Sequence, residues 1–161
     1  MEQSTENNAV KNELIVYSTE SAEKYKAIKA APILLHFSVD GSTCPDRKSF
    51  FDKVGQTMSF PSPVGSKFSA FTDWMTNLSW LPEEKGICLE DTEFDIVLRD
   101  EPRWKQTLVD VFQEDILPFW EDEVIKVMKG GKRRQFYILL QKRSGKLDKQ
   151  SMSDKAEDKI S

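Results

Sequence analysis

The sequence predicts an α/β fold, a small three-stranded parallel sheet packed against helices, and three observations point to it. Residues 33–39 and 135–141 are nearly continuous apolar runs, the pattern of strands covered on both faces of a parallel sheet. Between them lie stretches whose apolar residues recur at helical spacing, and a further short run at 94–99 reads as a middle strand. Strands separated by helices imply right-handed crossovers and a parallel sheet.

Taken in order, residues 1–11 are polar and without periodicity and are expected to be disordered. Leu14 to Tyr17 could form a short strand and Ser21 to Ile28 a short helix, so residues 1–30 are read as a partly disordered N-terminal extension. The run 33–39 carries His36, the one histidine of the chain, which is expected to be a packed or hydrogen-bonded core residue rather than a catalytic one. Asp40-Gly41-Ser42 ends the strand.

A helix follows over 45–58, with Pro45 in its first turn, Asp46 near its N-terminus and Phe50, Phe51 and Val54 on one side. Pro61 and Pro63 stiffen the next loop, Gly65 frees its backbone, and Ser66 is the expected N-cap of a helix reaching about residue 77. That helix has two faces. Phe68, Phe71, Met75 and Leu78 recur at spacings of three and four and should face the core, leaving Ser69, Thr72, Asp73 and Thr76 on the other side.

Residues 81–86 read as a connector. From 102 to about 129 the chain is helical in phase, Pro118 is expected to divide it in two, and Gly130-Gly131 stops it. The domain is expected over 31–142, and 143–161 is read as a disordered charged tail.

Composition narrows the function. The 161 residues, 39% hydrophobic, suffice for one core and not for two ordinary domains. A net charge of −4 argues against direct nucleic-acid binding. Cys44 and Cys88 stand far apart with no Cys/His cluster, so neither a metal nor a cofactor is expected. The acidic N-terminus and the lack of a long apolar run point to a cytoplasmic protein without a membrane partner. One histidine, no Gly-rich phosphate loop and no Gly-x-Ser-x-Gly give an enzyme little to work with.

Charge is segregated along the chain. Residues 83–123 hold fourteen acidic and four basic side chains, a net of −10, whereas 124–146 hold eight basic and none acidic. An acidic block would steer a basic partner, although a charge run is as readily a solvated face. Lys132-Arg133-Arg134 is read as capping the preceding helix and solubilising a strand edge rather than as a polyanion site.

Phe60-Pro61, Gly65, Ala70 and Asp73 match the spacing of a loop-helix pattern, Leu-Pro-x-x-x-Gly-x-x-x-x-Ala-x-x-Asp. With the element order, this resembles the barstar-like proteins, intracellular inhibitors of small secreted ribonucleases, over residues 33–141. The resemblance implies a protein inhibitor of the antitoxin or immunity type that occludes a ribonuclease active site. Its partner would be a basic ribonuclease or nuclease-toxin domain, and the chain would act as a monomer. Asp73 matches the family's key helical Asp and Thr76 a contact residue one turn on. Asn77 replaces a Gly, while Ser69, Pro63, Thr72 and Lys67 replace a contact Asp, Tyr and Trp and an Asn. Glu114 corresponds to a contact Glu on the last helix. The expected partner-binding set is therefore Asp73, Thr76, Asn77, Ser69, Thr72, Trp80 and Glu114. The lost contact groups leave a second reading, a barstar-fold interaction module whose partner is not a nuclease.

Overall fold

The computed structural model describes residues 10–143. The expected disorder at 1–9 and 144–161 lies outside the described residues. A four-stranded parallel sheet in the order β1-β4-β3-β2 organises the chain, with β1 Glu13–Ser18, β2 Leu34–Asp40, β3 Gly86–Thr92 and β4 Phe136–Lys142. Four strands replace the expected three, because the 14–17 segment pairs along the open edge of β4.

The connection from β1 to β2 crosses the sheet on one face as a 3-10 stretch Thr19–Tyr25 and the short helix α1, Lys26–Ala30. The later connections cross on the other face, carrying α2 Arg47–Met58, α3 Phe68–Met75 and a helical run over 105–127. Reversing the winding direction moves right-handed crossovers to the opposite face, which is why helices cover both.

The main core lies on that second face, where Val39, Ile87, Leu89, Ile138 and Leu140 meet Phe50, Phe51, Phe71, Phe112 and Trp120. A smaller core on the first face joins Tyr17, Leu34, Cys88 and Leu139 to Tyr25, Ile28 and Ala31. There the Tyr17 hydroxyl donates to Glu90, and Lys29 Nζ reaches Glu90 Oε2 at 3.1 Å. Burial first, then the Glu90 carboxylate beside it, push the Tyr17 phenol well above its ordinary range.

Several expectations change. The middle strand is 86–92 rather than 94–99, where the chain makes a tight turn, Phe94–Ile96. Glu90 and Asp91 disguise the true strand, one being ion-paired and the other buried in the core. His36 is exposed, since β2 is an edge strand, and its Nε2 lies 2.7 Å from the Ala31 carbonyl. The 105–127 run is not divided at Pro118. Wide π-type turns at Val111–Ile116 and Phe119–Glu123 absorb the missing N–H, and Asn12 Nδ2 caps the Leu117 carbonyl at 3.0 Å.

Candidate protein-docking site

The helix α3 is fixed by its apolar side. Phe71, Met75 and Leu78 have no exposed surface, and the Phe71 ring stacks on Phe51 of α2 at 4.5 Å. Phe68, half-buried, meets Phe51 at 5.3 Å and Trp104 at 5.9 Å. Beneath it, α2 is started by a reciprocal cap in which Ser49 N donates to Asp46 Oδ1 at 2.9 Å and Asp46 N donates to Ser49 Oγ at 3.2 Å. The expected N-cap Ser66 plays no such part in α3. Lys67 occupies that position and makes no side-chain cap.

The loop entering α3 is shaped by aromatic packing. Phe60, Trp74 and Trp80 form a half-buried cluster with ring centroids 5.5 to 6.4 Å apart. Trp80 Nε1 donates to the Met58 carbonyl at 2.8 Å, which ties the segment after α3 to the end of α2. Gly65 takes a φ of 75°, the left-handed conformation that lets the loop turn into the helix.

The outward face of α3 carries Ser69 and Asp73, with Asn77 just beyond its end, all exposed. Thr72 and Thr76 are half-buried beside them. Thr76 Oγ1 donates to the Thr72 carbonyl at 2.8 Å, and Asn77 Oδ1 accepts from Ser79 N at 2.9 Å. The Asp73 carboxylate is exposed and makes no hydrogen bond or ion pair among the described residues. Glu114 is exposed on a separate element, the wide turn 111–116, which packs against α3. The structure thus brings six of the seven expected residues to α3 and the turns after it, with Trp80 at the rim and Glu114 on the neighbouring helical run.

Sequence reasoning missed the residues that hold the far end of this face. Arg134, 4% exposed, donates to the carbonyls of Lys85 and Leu81 at 3.3 Å and of Leu78 at 3.5 Å. Its guanidinium lies 5.2 Å from the Trp120 ring, and Trp120 Nε1 donates to the Met75 carbonyl at 2.8 Å. Within a basic triplet this arginine resembled a solvated charge; Arg133 also binds the preceding helical run, at the Glu121 carbonyl.

The two charge blocks fold onto each other. Lys132 pairs with Glu83, Arg133 and Lys126 with Asp122, and Arg143 with Glu93. Arg47 takes Glu101 at 2.8 Å and holds its carboxyl below the usual range. These mostly exposed pairs are each worth little, but they shorten the reach of the acidic field.

Residues 34–141 match the model of the family described as Barstar (barnase inhibitor). The chain belongs to the barstar family. The match opens with β2 and closes in β4, so α2, the loop, α3 and its outward face all lie within it, while β1 and the 19–30 crossover precede it. No curated protein matches this barstar-family chain in sequence. A solved structure titled "Structure of the Aeropyrum Pernix ORC2 protein (ADPNP-ADP complexes)" is similar with a TM-score of 0.58 at 13% identity. It covers 98% of this chain, which spans 41% of that one, and at this identity the likeness is one of fold alone. Among the described residues no group of three or more His, Cys, Asp or Glu could hold a metal ion, and no helix is long and apolar enough to cross a membrane.

Proposed function

We propose that this barstar-family protein is a cytoplasmic, monomeric inhibitor of the antitoxin or immunity type, which occludes the active site of a basic ribonuclease or nuclease-toxin domain with the outward face of α3. The observation that carries this reading is Asp73. It is an exposed and unpaired carboxylate at the centre of a helix face whose other side is locked into the core. Family membership supplies the inhibitor class. A ribonuclease cleft must be cationic to hold phosphates, and a fixed carboxylate can occupy a phosphate position.

Ser69, Thr72, Thr76, Asn77 and Trp80 would form the rest of the contact, with Glu114 at its margin. The test is affinity capture from the producing cell, a ribonuclease assay on the captured protein, and titration with Asp73→Ala. Loss of inhibition with the fold intact supports the reading, and unchanged binding overturns the assigned surface.

One observation favours a second reading, a barstar-fold interaction module whose partner is not a nuclease. The α3 face offers hydroxyls and an amide around its one carboxylate, with Lys67 exposed at the helix start. A captured partner without nuclease activity, still dependent on Asp73, would decide for it.

A further inference from the structure

Asp91 is the one fully buried carboxylate among the described residues, with no exposed surface and no hydrogen-bond partner for either oxygen. It lies on the main-core side of the inner strand β3, with Val39 of β2 and Leu140 of β4 opposite it in register. Neither neighbour can take up a charge.

Next to it the chain closes two interlocked turns. The turn Gly41–Thr43 follows β2, and the turn Phe94–Ile96 follows β3. A Cβ on Gly41 would collide with the Thr92 and Glu93 carbonyl oxygens, so the two turns touch backbone to backbone. Leu98 N then donates to the Cys44 carbonyl and Asp100 N to the Pro45 carbonyl, both at 2.9 Å. Cys44 ends the first turn, has no exposed surface, and is close enough for its thiol to sense a charge on Asp91.

We propose that Asp91 is held as the neutral acid in the folded protein and acts as a proton-operated latch: when it loses its proton, the turns beside it open and the Cys44 thiol becomes reachable. An ionised carboxylate in this place would be an uncompensated buried charge, and the least costly response is to let water in at the nearest backbone junction. At the second turn Lys105, with Nζ on the Phe94 carbonyl, and Asp95 act on each other rather than on Asp91. Glu90 on its own strand is like-charged and resists its ionisation further, the segment after β2 offers the neutral Cys44, and Lys53 of α2 and Asp40 act on that thiol rather than on Asp91.

Burial, then Glu90, push the Asp91 carboxyl up to about 8 from 3.8. A group raised in the folded state contributes stability that is complete below its unfolded value and is lost as pH rises through its folded value. The latch is therefore closed in mild acid and released in mild alkali.

The test labels the thiols of the full chain and separates Cys44 from Cys88 by mass mapping. Cys88 lies in the core on the opposite face, so it reports global unfolding. The expected result is a Cys44-to-Cys88 labelling ratio that rises about tenfold from about pH 6 to about pH 9, and by less than about twofold in Asp91→Asn. The same pH dependence in both proteins, or Cys44 and Cys88 labelled in step, overturns the proposal. Carboxyl-carbon NMR of the unaltered protein decides independently of whether the variant folds: titration of Asp91 in the ordinary carboxylate range overturns it, and titration well above that range supports it.

Discussion

The guanidinium of Arg134 stacks on Trp120 at 5.2 Å, and the N–H groups of both side chains end on backbone carbonyls at or just after the C-terminus of α3. Two residues from the last third of the chain thus define where the candidate docking helix stops. Arg134→Met keeps most of the packing volume and orphans three carbonyls, so it should cost about 2 to 4 kcal/mol by chemical denaturation. Arg134→Lys should recover little of this, because one ammonium cannot span three divergent carbonyls.

Phe71 and Asp73 stand two residues apart on the same helix with opposite assignments. Phe71→Ala should destabilise by about 3 to 5 kcal/mol, since it removes a ring stacked on Phe51 inside a closed core. Asp73→Ala should stay within about 0.5 kcal/mol of the parent. A large stability loss in the Asp73 variant would show that the carboxylate supports the fold rather than facing a partner.

Asn12 joins three elements. Its amide donates to the Leu117 carbonyl, its side-chain oxygen accepts from Phe136 N at 2.7 Å, and its backbone N–H reaches Glu121 Oε1 at 2.7 Å. Asn12→Ala should cost about 1 to 3 kcal/mol, because two buried backbone groups lose their partners together. Hydrogen exchange should show the effect first at β1 and at Leu117.

The main architecture was readable because it rests on apolar periodicity: β2, α2, α3 and β4 all announce themselves by buried phenylalanines, leucines and isoleucines. The α3 face was readable for the same reason, through the phase of Phe71 and Met75. What stayed hidden is polar. Strand β3 carries Glu90 and Asp91, charges that count against a core strand until Lys29 and Tyr17 are seen covering one of them. Arg134 could not be told from Lys132, since whether a basic side chain is solvated or buried depends on the carbonyls that tertiary structure brings to it. The route through Pro118 depended on wide turns and on Asn12, more than a hundred residues away in the chain.

Lys105 gives a second pH signature, opposite in sign to that of Asp91. Burial pushes its amine down to about 8 from 10.5, with Nζ donating to the Phe94 carbonyl at 2.6 Å. A depressed folded value means stability that is complete above the unfolded value and lost as pH falls through the folded one. Stability should therefore climb between about pH 8 and about pH 10.5, and Lys105→Met should remove that climb in urea titrations at stepped pH. A climb of equal size in the variant would show that the amine is solvated.

The strand order also sets when the molecule can come into being. Among the described residues β1 pairs only with β4, so Glu13 must wait for Tyr137 before it has a neighbour, and β4 is the last of the described strands to be synthesised. Until then the nascent chain can pair β2 with β3 alone, leaving one flank of β3 and all of β1 without backbone partners. Parallel pairing across such a span carries a large loop-closure cost and folds slowly. The finished sheet, and with it the Arg134 clasp on α3, therefore waits for β4, and a chain truncated before β4 would lack the docking helix's anchor as well as half of its sheet.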